Sequence, residues 1–173
     1  MKNKILIGAA LLVSVICFFS FKPNEIQHSS NGLKWTTFND VDKLMKKKTK
    51  KNIVAKKYVV DVYTDWCGWC KKMDKATFED SAVGAYANPK FYSIKLNAES
   101  KNIIKYKGKE MTEAELAATW GVRGYPTTVY LDENQEVITQ ISSYLDPNQF
   151  IQVLKFTGEN IYKTKTWEQF VQQ

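Results

Sequence analysis

Two cysteines with two residues between them, in Trp66-Cys67-Gly68-Trp69-Cys70-Lys71, have the clearest chemical capacity of this 173-residue chain. They follow a β-branched and aromatic run, Tyr58-Val59-Val60-Asp61-Val62-Tyr63, and precede Lys71-Lys72-Met73, which suits a helix from Cys67 to about Asp74. Cysteines at i and i+3 in a first helical turn can approach disulfide distance. The helix N-terminus stabilises an anion, so the first thiol can ionise below the free value of about 8.5; the second sits deeper in the helix and more shielded. One thiol is poised to attack and the other to resolve.

Other uses of such a pair fit less well. A structural zinc site needs four ligands, and only Cys17 and His28 remain as cysteine or histidine outside the pair. Haem attachment needs histidine after the second cysteine, where Lys71 stands. A permanent structural disulfide would close a very small loop and stabilise little. A binding module stays open as an alternative, holding copper or a client protein through Cys67 and Cys70; Met73 is near enough in sequence to be a soft third ligand, although its plainer reading is a core residue.

The pair must be positioned by a folded domain, and the chain can build one. It is 44% hydrophobic and 13% aromatic, which excludes disorder throughout, and its length suits one compact domain. Gly 8 and Pro 4 exclude a collagen-like or low-complexity chain, and three cysteines are too few for a disulfide scaffold.

Leu33–Thr37 reads as a short strand, followed by a helix capped at Asn39 or Asp40 and running to about Lys48, with Val41, Leu44 and Met45 at helical spacing. After the strand at 58–63 and the cysteine helix, Ser81–Ala87 reads as helix ended by Asn88-Pro89, and Phe91–Leu96 as strand. Lys101–Glu110 is a polar excursion, and Thr112-Glu-Ala-Glu115 is a capping box opening a helix through Trp120, ended by Gly121. Thr127–Leu131 and Glu136–Ile141 are strands joined by a turn at 132–135. Asp146-Pro147 starts a helix that Gly158 closes, and Thr166–Val171 is a last short helix. The order predicts an α/β fold, a mixed central β-sheet flanked by helices over 33–173. Asp61 falls in the middle of a strand of otherwise buried character and demands an explanation.

Before this domain, Lys2 and Lys4 precede 17 uncharged residues, Ile5–Phe21, and then an exposed spacer at 22–32. This is the pattern of a signal peptide or an N-terminal membrane anchor at 1–21. Ser20 is small but Phe18 is not, so a cleavage site is not evident, and the lysines favour a cytoplasmic N-terminus if the segment stays as an anchor. Cys17 lies within it, behind Val15 and Ile16 rather than a small residue, and reads as an apolar member of the segment rather than a lipidation site.

Removing Lys2 and Lys4 would lower the net charge from +7 to +5, and much of the excess lies between Lys43 and Lys57. That stretch reads as the solvated face of a helix followed by a linker. No aromatic residue interrupts Lys46–Lys51, so nucleic acid is not expected as a partner.

Over roughly Trp35 to Phe156 the sequence resembles the thioredoxin superfamily, most strongly in VVDVYTDWCGWCKKM and in Gly121-Val-Arg-Gly-Tyr-Pro-Thr127. Asp65-Trp66-Cys67, Cys70-Lys71 and Thr77-Phe78-Glu79-Asp80 are similar, more specifically, to the C-terminal periplasmic domain of the disulfide reductase DsbD. Trp69 replaces the proline of the superfamily's WCGPC.

The resemblance implies a thioredoxin fold and a role for each matching residue. Cys67 is the attacking thiol, Cys70 the resolving thiol, and the two form the redox disulfide. Asp61 is the buried acid behind them, whose raised pKa suits it to take the Cys70 proton through water, and Lys95 is the lysine near that acid. A tolerated edge-strand acid is the alternative for Asp61. Pro126 is the cis-proline beside the pair, and Tyr125 offers its backbone to an extended substrate. Trp66 walls the site, with Gly68 and Trp69 beside it; Trp69 is exposed and either shapes partner choice or is a plain helix-surface aromatic.

The implied activity is thiol–disulfide exchange by an exported, periplasmic and monomeric protein that requires no metal or cofactor. Its partners are disulfide-bearing proteins and, because the compartment is oxidising, a membrane or thioredoxin-like electron donor. Position 69 lacks the histidine typical of strong oxidants in the superfamily, which favours reduction. A disulfide isomerase is a further alternative, without a visible dimerisation segment.

Overall fold

The computed structural model describes residues 32–48 and 55–172. Residues 1–21, expected to be a signal peptide or anchor, nearly all of the expected spacer and the 49–54 part of the basic stretch lie outside the described residues. No helix among the described residues is long and apolar enough to cross a membrane.

The β-branched run 58–63 becomes β2 (Lys57–Tyr63), and it takes the central position of a five-stranded sheet. β3 (Phe91–Asn97) lies parallel to it on one side, followed by β1 (Trp35–Thr36), also parallel; β6 (Thr127–Leu131) is antiparallel on the other side, followed by β7 (Val137–Ile141) at the edge. The sheet is mixed because long helical crossovers join the parallel strands while a tight turn joins β6 to β7. At that turn the Asp132 N–H donates to Glu136 O, and Gln135 takes a positive φ of 65°.

Alternation along β2 divides the core. Tyr58, Val60 and Val62 pack with Phe38 and Val41 of α1 (Phe38–Lys48) and Leu116 of α4 (Glu113–Thr119). Val59 faces the other layer, with Met73, Phe78, Val83 and Phe150. That layer is made by α2 (Gly68–Met73), a π-helical turn (Asp74–Phe78), α3 (Ser81–Lys90) and α5 (Pro147–Gly158). By the same alternation Asp61 points under α2.

Most expected elements are present, including the capping box at Thr112/Glu115, the helix start at Asp146-Pro147 and the C-terminal α6 (Trp167–Val171); the structure adds a capping box at Asp146/Gln149. Gly121 ends the fourth helix with φ 69°, a conformation that only glycine adopts freely.

Several expectations need correction. The first helix is capped by Thr37, whose Oγ1 accepts from the Asp40 N–H at 3.0 Å, so Asn39 and Asp40 lie inside the helix. Of its apolar residues Val41 is buried, whereas Leu44 and Met45 are exposed. The third helix does not stop at Asn88-Pro89 but runs through Pro89 to Lys90. The hydrogen bond that Pro89 cannot make would go to Ala85, and both residues lie on an exposed face where water can serve that carbonyl.

The polar excursion is an antiparallel hairpin, β4 (Ile103–Tyr106) and β5 (Lys109–Thr112), turning through Lys107 and Gly108 at positive φ. Buried Ile104 and Tyr106 supply the apolar face that its lysines obscure in the sequence. Lys57 is no part of a solvated stretch: it is 3% exposed and its Nζ binds Glu133 Oε1 at 2.8 Å.

Candidate active site

The fold places the cysteines where β2 passes into α2. The Cys67 N–H donates to Thr64 O at 3.1 Å, fixing the exit turn. Cys67 is the N-cap of α2, and its Sγ accepts the Cys70 backbone N–H at 3.0 Å. The two sulfurs form a disulfide with Cα atoms 5.3 Å apart. One expectation changes here. Cys70 is not distinctly more shielded than Cys67, since the residues are 3% and 4% exposed. What separates them is the amide aimed at Cys67 Sγ.

Asp61 is 2% exposed and lies in the central strand, so the edge-strand alternative is excluded. Its register neighbours are Lys95 on β3 and Thr128 on β6. The Lys95 ammonium lies 3.3 Å from Asp61 Oδ2 and also binds Asp74 Oδ1 at the start of the π-helical turn. Its charge is surrounded by rings, 4.9 Å from the Tyr63 centroid and 5.1 Å from that of Trp35.

Burial drives the Asp61 pKa up; Lys95 pulls it down and Asp74 pushes it up again, with a net value of about 6. Burial disfavours the Lys95 ammonium, but Asp61 and Asp74 outweigh it, so Lys95 titrates above the ordinary lysine range. Asp74 was missed in the sequence because it sits among Lys71, Lys72 and Lys75 and reads as one more surface charge. Its spacing of four from Cys70 was the available signal.

The remaining expected residues gather at the rim. The Tyr125–Pro126 peptide is cis. Trp66 is 67% exposed, stacks edge-on against Tyr125 at 5.8 Å and donates from Nε1 to Glu99 at 2.9 Å. Gly68 opens α2 with free space above it, so no close backbone contact requires glycine there.

Trp69 is 57% exposed and lies 5.6 Å from Tyr144, with the Lys72 ammonium over both rings. Trp69, Tyr125, Pro126, Ser143 and Tyr144 line an open groove of about 350 Å³. Ser143 and Tyr144 come from the loop after β7, and nothing local in the sequence points to them. Met73, the last residue of α2, is fully buried in the core with Val59 and Phe78, which removes the third ligand of the copper-binding alternative.

A mixed sheet with its cysteine pair at the N-terminus of the helix after the central strand, and a cis-proline leading into the antiparallel strand, defines a thioredoxin-fold protein. The family described as a thioredoxin-like domain matches residues 42–158, and the chain belongs to that family. Among curated relatives, the thiol:disulfide interchange protein DsbD of Actinobacillus pleuropneumoniae is 30% identical over 124 residues, 70% of this chain and 19% of the relative. The chain thus spans less than a fifth of the length of that relative.

Two solved structures share the fold. The DsbH oxidoreductase superposes with a TM-score of 0.58 at 18% identity, covering 84% of this chain and 94% of the other. A candidate disulphide-isomerase from Bacteroides thetaiotaomicron gives 0.52 at 28% identity, covering 73% and 93%.

Proposed function

We propose that the protein is an exported thiol–disulfide oxidoreductase that reduces protein disulfides. The observation that carries this reading is the Cys67–Cys70 disulfide at the start of α2, with the Cys70 N–H on Cys67 Sγ and Asp61 buried beneath. In the reduced protein, the Cys67 thiolate attacks one sulfur of a substrate disulfide, forming a mixed disulfide and expelling the other sulfur as a thiolate. Cys70 gives its proton to Asp61 through water and attacks Cys67 Sγ. The substrate's second sulfur leaves as a thiolate and is protonated; the substrate's two thiols now carry the two electrons that the protein gave up in forming the Cys67–Cys70 disulfide. A pKa near 6 leaves Asp61 ionised near neutral pH and close enough in proton affinity to exchange with a thiol.

Lys95 acts here as the positioning cation for Asp61. Trp66, Gly68, Trp69, Tyr125 and Pro126 form the docking rim, where the Tyr125 backbone pairs with an extended substrate segment. The donor that restores the thiols is a membrane carrier or another thioredoxin-like domain, and the working form is a monomer. Export to the periplasm, by a cleaved signal or an anchor, rests on Lys2, Lys4 and the uncharged run to Phe21.

Turbidimetric reduction of insulin tests the activity: the wild type accelerates it and Cys67→Ser does not. A Cys67–Cys70 potential near about −270 mV supports a reductant, and one near about −120 mV reverses the direction. Fractionation of the tagged full chain tests the location.

A further inference from the structure

The sheet face beneath α2 carries polar side chains that the exchange chemistry leaves unused. Thr128 is the cross-strand partner of Asp61, and Tyr130 lies two residues further along β6, so both project to the face that Asp61 occupies. Thr128 and Tyr130 are both fully buried. The Thr128 Oγ1, the Tyr130 hydroxyl and Asp61 Oδ1 make no hydrogen bond to the described residues.

The other Asp61 oxygen, Oδ2, is the one that accepts from Lys95. Lys95 reaches Asp61 from β3, on one flank of β2, whereas Thr128 and Tyr130 stand on β6, on the other. The Tyr130 hydroxyl stands beside that of Thr128, which favours its ionised form, while the Asp61 charge opposes it. Burial keeps it protonated, and therefore a donor, well above the ordinary tyrosine range.

Buried hydroxyls and carboxylate oxygens in folded proteins are almost always hydrogen-bonded. Where protein groups do not satisfy them, an ordered water with about three polar partners commonly does. Three such atoms on one face of two paired strands match that requirement. We propose that Asp61 Oδ1, Thr128 Oγ1 and Tyr130 Oη hold a buried water that sets the protonation of Asp61 from the flank opposite Lys95.

In this site the tyrosine hydroxyl donates to the water and the water donates to Oδ1, which favours the ionised carboxylate. Thr128 Oγ1 completes the water's shell. The charged groups acting on Asp61 are Lys95 from β3, which favours ionisation, and Asp74 from the π-helical turn, which opposes it. From α2 the facing cysteines are joined in the disulfide and carry no charge. Thr128 and Tyr130 are then positioning residues, specific to the side chains that this chain places on β6.

The site's use rests on the proposed exchange reaction, but its existence does not. The test is accordingly made on the oxidised full chain without turnover, by following the Asp61 side-chain carboxyl carbon through a pH titration by NMR. Tyr130→Phe and Thr128→Val remove one hydroxyl each at nearly constant shape. The proposal expects the Asp61 midpoint to rise in each, by about one pH unit when both are combined, a tenfold change in proton affinity. Thr128→Ser, which keeps the hydroxyl, is expected to retain the wild-type midpoint.

A wild-type midpoint in both Tyr130→Phe and Thr128→Val overturns the proposal, whatever their melting temperatures, because a merely structural role would change stability alone. If Tyr130→Phe does not fold, the contrast between Thr128→Val and Thr128→Ser decides the matter. A protein inactive on insulin but showing these shifts would sink the proposed function and leave this site standing.

Discussion

The Cys70 backbone N–H donates to Cys67 Sγ at 3.0 Å, and no corresponding backbone donor reaches Cys70 Sγ among the described residues. Because the two cysteines are almost equally buried, this hydrogen bond is the asymmetry that, on the proposed exchange chemistry, would select the nucleophile. An amide aimed at a sulfur favours its thiolate over its thiol. Cys67→Ser is therefore expected to abolish disulfide reduction. Cys70→Ser is expected to retain the first attack and accumulate a mixed disulfide, which intact-protein mass spectrometry would detect. Accumulation in Cys67→Ser instead would exchange the two roles.

Asp61 makes stability depend on pH in the direction opposite to that of a salt-bridged surface carboxylate. Its folded pKa, about 6, lies above the ordinary 3.8, so the folded state holds the proton more tightly than the unfolded chain. The resulting stabilisation is complete below the unfolded value and is lost as pH rises through about 6. Asp61→Asn removes this dependence. Urea unfolding at pH 4 and pH 7.5 is expected to show the variant gaining on the wild type by about 2 kcal/mol at the higher pH. The comparison with the variant matters because carboxylates such as Glu115 and Glu159, held below their ordinary range, contribute with the opposite sign.

Lys95 and Asp74 act on Asp61 with opposite signs. Lys95→Met is expected to move the Asp61 midpoint above 6. Asp74→Asn is expected to move it below. The pH profile of the resolving step, followed in a single-turnover experiment, should shift with each midpoint. Shifts of the same sign in both variants would show that the lysine and the carboxylate do not act through charge.

The groove beside the disulfide predicts a binding effect. Tyr144→Ala opens one wall and removes the ring packed against Trp69. For a peptide disulfide substrate we expect KM to rise about tenfold with kcat little changed, equivalent to about 1.4 kcal/mol of lost docking energy. A fall in kcat at constant KM would place Tyr144 in the chemistry instead.

Lys57 is buried and its partner Glu133 is half-exposed. Glu133→Ala leaves an ammonium inside without its carboxylate and is expected to cost about 2 kcal/mol, read from the denaturant midpoint. Lys57→Met removes the charge itself and should be close to neutral in the same measurement.

The readability of this molecule followed the range of the interactions involved. Caps, turns and strands made by neighbouring residues, such as the Thr112/Glu115 box and Thr127–Leu131, are local and were legible. The β4–β5 hairpin was not, because its lysines masked the two residues, Ile104 and Tyr106, that bury. Pro89 misled because a helix stop is judged by the missing N–H, while the fold decides whether water can reach the freed carbonyl. Lys57 read as solvated because burial of a lysine depends on a carboxylate 76 residues away.

The Cys67–Cys70 spacing, the strand before it and the Tyr125–Pro126 dipeptide were enough by themselves to define a redox-capable pair and its family, since those features depend on neighbours along the chain. Only the tertiary structure joined Asp61 to Asp74 through Lys95 and set Thr128 and Tyr130 on its other flank. It likewise brought Tyr144 against Trp69. Proton affinity and substrate fit are set by whatever stands across a strand or a loop. Sheet register and burial decide those neighbours, and neither is carried by any short stretch of sequence.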